Sequence, residues 1–177
     1  MRVIAGVCGG RKLLAPADDA VRPTTDKVKE ALFSSIQFEL EGARVLDLFA
    51  GSGALGIEAL SRGAAEAVFV DNSRASLELT KKNLALCSLE GSCVQGDSLV
   101  YLQNCRERFD IAFLDPPYAT GLLQKALPAV SAVMRESGVI CAESPFGEAL
   151  PEEAGSGFRL VKSKKYGTMQ LSFYRNR

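Results

Sequence analysis

A glycine-rich turn stands between an apolar strand and a helix, and it limits the possible folds more than any other part of the sequence. The segment G-S-G-A-L-G at positions 51–56 follows the apolar run Arg44–Phe49 and opens a predicted helix, Ala54–Arg62. Asp71 lies 20 residues after Gly51, at the end of the next predicted strand. Glycines let a ligand approach the backbone, and a strand-end acid can accept hydrogen bonds from ribose hydroxyls. The pattern predicts a site for an adenosine-containing cofactor, and the alternative is a tight strand–helix turn with a strand-end acid.

The rest of the central sequence alternates between short apolar strands and amphipathic helices. The strands are predicted at Arg44–Phe49, Ala67–Val70, Ser92–Gln95, Phe109–Leu114 and Val139–Glu143. The helices after the first of these are predicted at Ala54–Arg62, from a Ser73 cap to about Cys87, at Ser98–Asn104 and at Leu122–Arg135. Continuous apolar strands that alternate with helices are typical of a parallel sheet covered on both faces.

The two ends of the chain differ from this centre. Phe158–Lys165 and Met169–Tyr174, joined at Tyr166-Gly167, predict an antiparallel hairpin added to the edge of the sheet. Arg2–Ala5 and Leu13–Ala15 predict a small N-terminal hairpin, and Thr24 or Thr25 can cap the helix that follows. The length of 177 residues suits one domain. We therefore expect a single domain over 1–177, with an N-terminal extension at 1–40 and a catalytic core at 41–177.

Composition excludes several classes of chemistry. The chain has no histidine, which removes Ser-His-Asp and Cys-His nucleophiles and histidine metal ligands. Its five cysteines are odd in number and contain no C-x-x-C pair, which indicates free thiols in a reducing compartment and no metal site. No apolar run approaches the ~20 residues of a membrane helix, and the first apolar run is too short for a signal peptide. The sequence predicts a cytoplasmic protein without a membrane segment.

Charge is balanced overall but unevenly distributed. The net charge is zero, yet residues 159–177 carry six basic side chains and no acidic one, and residues 1–30 carry a net charge of +2. Residues 31–158 therefore carry a net charge of −8. An acidic body with basic ends can bind a polyanion through a local patch. A solvated C-terminal tail is the alternative interpretation.

Two further carboxylates distinguish between cofactors. Asp47 lies four residues before Gly51, and Asp97 follows the third strand, where it can meet an adenine amino group. A pyrophosphate is itself negative, so a dinucleotide site gains nothing from an added anion beside its glycines. Three acids around one pocket repel polyphosphate and tolerate a sulfonium. S-adenosylmethionine therefore fits these residues better than NAD.

The segment Asp115-Pro116-Pro117-Tyr118 ends the fourth predicted strand, at the edge where ligands of open α/β sheets bind. The Asp115 carboxylate and the Pro116 carbonyl can accept the two N–H bonds of an exocyclic amine, which frees its lone pair and stabilises the charge that develops during methyl transfer. The prolines fix the backbone, and Tyr118 offers a face on which a flipped base can stack. The alternative is a structural turn with a capping aspartate.

These motifs resemble those of known enzymes. The segment 47–53 (D-L-F-A-G-S-G), Asp71, Gly96-Asp97 and Asp115–Tyr118 are similar to class I S-adenosylmethionine-dependent amino-methyltransferases. The ends narrow the resemblance to the bacterial 16S rRNA guanine-N2 methyltransferase family, through Arg2–Gly6, Gly10–Leu13, the block Arg22–Phe33 and Lys165–Thr168. The turn Val7–Gly10 departs from the pattern, since polar or basic residues are expected there.

The resemblance implies a Rossmann-like fold with a seven-stranded, mostly parallel sheet. It implies methylation of the exocyclic N2 amine of guanine 966 in 16S rRNA. The implied partner is the assembled or assembling small ribosomal subunit, and the segment from Arg22 to Thr25 would close over the methionine end of the cofactor. We expect a monomer. The alternatives are an adenine-N6 methyltransferase acting on DNA or RNA, a protein-glutamine methyltransferase, an NAD-dependent oxidoreductase and a non-catalytic RNA-binding module.

The predicted site residues form three groups. The catalytic group is Asp115, Pro116, Pro117 and Tyr118. The cofactor group is Arg22, Thr24, Asp47, Phe49, Ala50, Gly51, Ser52, Gly53, Asp71, Asn72, Gly96, Asp97 and Ser98. The RNA-binding group is Arg2, Arg11, Lys12, Lys164, Lys165 and Tyr166.

Overall fold

The structure is a computed structural model that describes residues 1–17 and 25–176. Within these residues it contains five helices and eight strands. The helices are α1 (Asp26–Ser35), α2 (Ala54–Ser61), α3 (Arg74–Leu86), α4 (Ser98–Asn104) and α5 (Leu122–Ser131). The strands are β1 (Arg44–Asp47), β2 (Glu66–Asp71), β3 (Ser92–Gln95), β4 (Phe109–Leu114), β5 (Met134–Pro145), β6 (Glu153–Gly155), β7 (Phe158–Tyr166) and β8 (Met169–Asn176).

All eight strands form one mixed sheet in the order β3-β2-β1-β4-β5-β8-β7-β6. Strands β1 to β5 pair in parallel, and β8 runs antiparallel to β5, with Val139 opposite Arg175 and Pro145 opposite Met169. The predicted parallel sheet with a C-terminal hairpin at its edge is confirmed. The sheet has one strand more than the seven expected. The extra strand, β6, is only three residues long, and its exposed–buried–exposed pattern is too short to identify a strand from the sequence.

Two element boundaries differ from the prediction around residue 132. Helix α5 ends at Ser131, not at Arg135, and β5 begins at Met134, not at Val139. The reason is long-range pairing. The Phe109 N–H donates to the Val133 carbonyl at 3.0 Å, and Met134 pairs with Phe109 before a bulge in the ladder. Met134 and Arg135 therefore belong to β5, although their helical periodicity alone predicts that they continue α5.

The sheet separates two hydrophobic cores, as the prediction of helices on both faces requires. One core joins the N-terminal extension and α1, α2 and α3 to the sheet, through residues such as Val3, Phe33, Ile57 and Leu77. The other joins α4 and α5 to the opposite face, through Leu102, Leu123, Leu127 and Val130. None of the helices in the described residues combines the length and hydropathy needed to span a lipid bilayer.

The N-terminal extension is a hairpin-like pair of segments, as predicted. Arg2 and Lys12 form an antiparallel bridge, and the Val3 N–H donates to the Arg11 carbonyl at 2.9 Å. Helix α1 follows, and the Thr25 hydroxyl caps it by accepting from the Val28 N–H at 3.3 Å. Of the two threonines that the sequence offers as caps, Thr25 is the one that caps α1.

Buried charges fasten this extension to α2. The Glu58 carboxylate, fully buried, accepts the backbone N–H groups of Ile4 at 2.8 Å and Ala5 at 3.1 Å. It also pairs with the Lys29 ammonium at 3.3 Å and with the Arg62 guanidinium at 2.7 Å. Each lone pair of a buried carboxylate needs a donor, and here the hairpin backbone supplies two of them.

Candidate active site

Acidic side chains gather at one edge of the sheet because parallel strands end on the same side. Asp47, Asp71 and Asp115 end or follow β1, β2 and β4, which are neighbours in the sheet. Asp47 pairs in register with Phe69 of β2 and with Phe113 of β4. The structure therefore brings together the acids that the sequence placed at successive strand ends.

The glycine turn is held by Asp71. The Gly51 N–H donates to Asp71 Oδ2 at 2.9 Å, and the Ser73 N–H donates to Asp71 Oδ1 at 2.8 Å. Each carboxylate oxygen accepts one of these bonds and has a second lone pair for a ligand donor. Asp71 thus has a structural role in the turn, in addition to the ribose contact predicted for it.

The two glycines of the turn differ in what surrounds them. Both adopt the left-handed backbone conformation, with φ of 55° at Gly51 and 78° at Gly53. A Cβ on Gly53 would lie 2.7 Å from Thr80 Cγ2, whereas a Cβ on Gly51 would meet no atom within 4 Å. Gly53 is therefore required by internal packing, and Gly51 presents open backbone to a ligand.

Asn83 links the glycine turn to the N-terminal extension. This fully buried side chain donates through Nδ2 to the Leu14 carbonyl at 3.0 Å and to the Ser52 carbonyl at 2.9 Å. Its Oδ1 accepts from the Leu14 N–H at 2.7 Å. One side chain on α3 thus fixes the cofactor turn and the segment that leads out of the hairpin relative to each other.

Asp47 is almost completely buried, with 2% of its surface exposed. Burial raises the pKa of its carboxyl to about 7; the hydrogen bond from the Gly56 N–H, at 3.0 Å, opposes this shift, and the nearby charge of Asp71 adds to it. A positively charged ligand beside Asp47 would favour its ionised form. This carboxyl therefore fits the cationic methionine part of S-adenosylmethionine, and it also anchors the first turn of α2.

Asp97 is exposed and caps α4, where its Oδ1 accepts from the Leu99 N–H at 2.9 Å and from the Val100 N–H at 3.0 Å. The Gly96 N–H donates to the Asp71 carbonyl at 3.0 Å, which places the β3 end beside the β2 end. The other residues predicted to contact the cofactor, within the described chain, follow β1, β2 or β3 at the same edge. Phe49 and Ser52 are half-buried, Ala50 and Ser98 are buried, and Asn72 is exposed. The open glycine, the acids and the adjacent strand ends together fit an adenosine cofactor.

The loop after β4 forms the other half of the site. Pro116, Pro117 and Tyr118 line a cavity together with residues of β5 and of the loop after it, among them Glu143 and Glu148. The Pro117 carbonyl accepts from Thr120 Oγ1 at 2.7 Å, and Ala119 adopts a φ of 58°. Tyr118 is 43% exposed, and its hydroxyl contacts the sulfur of Met169. The loop thus carries an internal hydrogen bond and a side-chain contact with β8, and the tyrosine remains partly accessible.

Glu143 is a site residue that the sequence reasoning missed. Leu114 pairs in register with Ala142, so the next residues, Asp115 and Glu143, lie side by side at the ends of β4 and β5. Burial raises the pKa of the Asp115 carboxyl well above its usual range, and the charges of Glu143 and Asp47 raise it further. The sequence contains a signal for Glu143, because this acid directly follows the apolar run Val139–Ala142, as Asp71 and Asp115 follow the apolar runs of earlier strands.

The predicted RNA-binding residues fall into two groups. Lys164, Lys165 and Tyr166 end β7 at the acidic edge, since the turn between β7 and β8 lies where Pro145 pairs with Met169. Arg2, Arg11 and Lys12 lie in the N-terminal extension, and Arg2 forms an exposed ion pair with Asp26 at 2.9 Å.

The tip of the extension lies away from the acidic edge. The Val7 N–H donates to the Ser61 carbonyl at 2.8 Å and the Cys8 N–H to Ser61 Oγ at 3.0 Å, at the end of α2. The predicted contacts of Arg22 and Thr24 lie outside the described residues. Within residues 1–17 and 25–176, no three acidic or cysteine side chains are placed to share a metal ion.

The sheet order, the glycine turn and the strand-end acids define the Rossmann-like class I methyltransferase fold. A family model described as "Conserved hypothetical protein 95" matches residues 1–175, and the chain belongs to this family. It is 39% identical over 184 residues to "Putative rRNA methyltransferase YlbH" of Bacillus subtilis (strain 168), which covers 100% of both chains.

Two further comparisons agree with this membership. The chain is 35% identical over 177 residues to "Ribosomal RNA small subunit methyltransferase D" of Escherichia coli (strain K12), covering 98% of this chain and 89% of that one. The solved structure "Putative methyltransferase yhhF from Escherichia coli" is similar with a TM-score of 0.89 and 32% identity, covering 100% of this chain and 98% of that chain.

Proposed function

We propose that this chain transfers a methyl group from S-adenosylmethionine to the exocyclic N2 amine of guanine 966 in 16S rRNA, within the assembled or assembling small ribosomal subunit. The observation that carries the proposal is the position of the loop after β4: its residues Pro116, Pro117 and Tyr118 border a cavity at the same sheet edge as the glycine turn. The small-subunit rRNA methyltransferases among the relatives support it. The proposal retains the cytoplasmic location and the monomeric state that the sequence predicts.

The cofactor supplies an electrophilic methyl group when it is bound. Asp71 offers the free lone pairs of its two oxygens to the ribose, and Gly51 lets the ligand approach the backbone. Asp47 places a carboxyl of raised pKa beside the turn, where a positive charge stabilises its ionised form. These residues hold and orient the donor while the loop after β4 receives the base.

Asp115 has two tasks in this reaction. Its carboxylate and the Pro116 carbonyl accept the N–H bonds of the amine, which directs the nitrogen lone pair toward the methyl group. The methylated nitrogen must then release a proton. A carboxyl whose pKa is raised by burial accepts a proton more readily than an exposed one, so Asp115 can take it.

The neighbouring Glu143 favours guanine over adenine. Guanine presents two kinds of donor on its Watson–Crick edge, the N1–H and the N2 amine, whereas adenine presents an acceptor at N1. Two adjacent strand-end carboxylates, Asp115 and Glu143, match the two guanine donors. An adenine would place its N1 lone pair against the Glu143 carboxylate, which is unfavourable in a buried site.

Labelled methyl transfer tests the proposal directly. Small subunits that lack the modification are incubated with the protein and tritiated S-adenosylmethionine, and nuclease mapping locates the label. We expect one labelled guanine, and no transfer to subunits in which that guanine is replaced by adenine. Label on an adenine, on protein or nowhere would contradict the proposal.

A further inference from the structure

One aromatic side chain at the rim of the site has no role in the reaction described above. Phe146 follows β5 directly after Pro145, which lines the cavity, and it is 54% exposed. Single exposed hydrophobic residues are common on protein surfaces. Phe146 differs because a second exposed aromatic residue, Tyr118, and two lysines lie at the same edge.

Lys165 lies over the ring of Phe146. Its ammonium nitrogen is 4.1 Å from the ring centroid, within the range of a cation–π interaction. A second pair lies next to it, with the Lys164 nitrogen 5.4 Å from the centroid of Tyr166. Two successive lysines thus each contact an aromatic ring, and Phe146 remains more than half exposed with Lys165 in place.

The position of Phe146 is fixed by the surrounding backbone. Its N–H donates to the Thr168 carbonyl at 2.8 Å, which joins it to the turn between β7 and β8. Gln170 Nε2 donates to Ser144 Oγ at 3.0 Å and to the Glu148 carbonyl at 2.8 Å, which holds the loop on both sides of Phe146. The exposed ring is therefore presented by an ordered loop, which costs less entropy on binding than a mobile one.

A pairing of aromatic rings with lysines is the chemistry that binds single-stranded nucleic acid. Bases stack on the rings without regard to sequence, and the ammonium groups neutralise phosphates. A base that reaches the loop after β4 must leave its stack, and its neighbour then loses a stacking partner. A ring at the rim of the cavity can replace that partner.

We propose that Phe146 is a stacking platform for a nucleotide adjacent to the methylated one, with Lys165 contacting its phosphate. This rests on the proposed function, which makes the substrate an RNA that is methylated at one nucleotide. Phe146 lies outside the three groups of site residues predicted from the sequence, and the surface it forms with Lys165 extends the predicted RNA contacts of β7 across to the loop after β5.

The absence of tryptophan from the chain allows a direct test. Phe146→Trp introduces one fluorophore at the platform. Phe38→Trp is the matched control, because Phe38 is 91% exposed and lies away from the acidic edge. Its neighbour Glu39 pairs with Arg175, and Arg175 lies opposite Val139, several residues before the end of β5. The probes are a short single-stranded RNA oligonucleotide and inorganic polyphosphate, which has the charge but no bases.

We expect RNA to quench the fluorescence of Phe146→Trp, and polyphosphate to leave it unchanged. Equal quenching of Phe38→Trp, or quenching by polyphosphate, would overturn the proposal. Small subunits should also quench Phe146→Trp, and ribonuclease treatment should abolish the effect. Quenching that survives ribonuclease would indicate a protein partner and would equally overturn it.

Kinetics provide the second readout. Stacking of one base corresponds to a change of about 5- to 150-fold, so Phe146→Ala should lower kcat/KM for small subunits by a factor in that range. Phe38→Ala should stay within about twofold, and the affinity for S-adenosylmethionine should not change in either variant. An unchanged kcat/KM for Phe146→Ala would reject the platform. A wild-type protein that methylates no small subunit, yet shows RNA-specific quenching at position 146, would reject the proposed function and retain Phe146 only as a residue on which RNA bases stack.

Discussion

Lys29 of α1 and Glu58 of α2 form an ion pair that is inaccessible to solvent, with 3.3 Å between the ammonium nitrogen and Glu58 Oε2. Burial lowers the pKa of Lys29, and the adjacent Glu58 carboxylate partly opposes that shift. The same ammonium donates to the Arg2 carbonyl. The pair therefore connects α1, α2 and the N-terminal hairpin at one buried point.

Removing Lys29 should destabilise the protein strongly. Breaking a buried ion pair typically costs about 3–5 kcal/mol, and we expect Lys29→Ala near the lower end because Arg62 still pairs with Glu58. Lys81→Ala is the control, since its pair with Glu78 is exposed to solvent and exposed ion pairs contribute little to stability. Urea unfolding followed by circular dichroism measures both. Similar losses in the two variants would contradict the structural role of Lys29.

Removing the Asp115 carboxylate should slow methyl transfer and leave cofactor binding nearly unchanged. Its interactions strengthen as charge develops on the nitrogen, so its loss lowers kcat. We expect Asp115→Ala to be slower by about 10²–10³, and Asp115→Asn to fall between it and the wild type. Single-turnover rates with unmethylated small subunits provide the measurement. A wild-type rate in Asp115→Ala would make the loop after β4 a structural turn only.

Glu143 should contribute to recognition of guanine. A hydrogen bond to a charged group is worth about 1.5–3 kcal/mol, so Glu143→Ala should lower kcat/KM for small subunits by about 10- to 150-fold. Glu143→Gln retains an acceptor oxygen and should lose less. The affinity for S-adenosylmethionine, measured by calorimetry, serves as the control for an intact fold. If Glu143→Ala retains the full kcat/KM, the N1–H of guanine is recognised elsewhere.

The stability of the cofactor-free protein should depend on pH through Asp47. Its folded pKa of about 7 lies above its ordinary value of 3.8, so the folded state binds this proton more tightly than the unfolded state does. The stabilisation is fully present below about pH 4, falls as pH rises toward 7 and is absent above it. Asp47→Asn removes this dependence and should become more stable relative to the wild type between pH 5 and pH 8. Thermal unfolding at a series of pH values measures this. If the melting temperatures of the two proteins change with pH by the same amount, the prediction is wrong.

Binding of S-adenosylmethionine should strengthen with pH more than binding of S-adenosylhomocysteine. The pKa values of Asp47 and Asp115 are both raised, and the sulfonium of the substrate favours their ionised forms, whereas the thioether of the product carries no charge. Calorimetry at pH 6 and pH 8 gives the two affinities. Equal pH dependence for the two ligands would place the sulfonium away from these carboxyls.

The sequence predicted the bounds of an element correctly where residues next to that element begin or end it. The bounds of β3, α4 and β4 agree with the prediction, because Asp97 caps α4 and Pro116 ends the run after β4. The fold class is confirmed. The order of the strands, the start of β5 and the strand β6 depend on pairing between distant residues, which local patterns do not encode.

The same distinction applies to the site. The strand-end acids were found because each follows its own apolar run, and the structure assembles them at one edge. The hydrogen bonds that these acids accept within the protein were not predicted. Asp71 accepts from the N–H of Gly51, 20 residues earlier, and Asp47 accepts from the N–H of Gly56, 9 residues later. Phe146 lies in a loop without periodicity, so only the contact with Lys165 reveals it. The roles assigned to the site residues stay predictions.

The three hydrogen bonds of Asn83 join the segment that follows the hairpin directly to the glycine turn. A ligand that tightens the turn therefore also steadies Leu14 and the extension attached to it. Thermodynamic linkage requires the coupling to be reciprocal. If the bound cofactor raises the affinity of the extension for RNA by some factor, bound RNA must raise the affinity for the cofactor by the same factor. The enzyme would then bind its methyl donor most tightly when its substrate is in place.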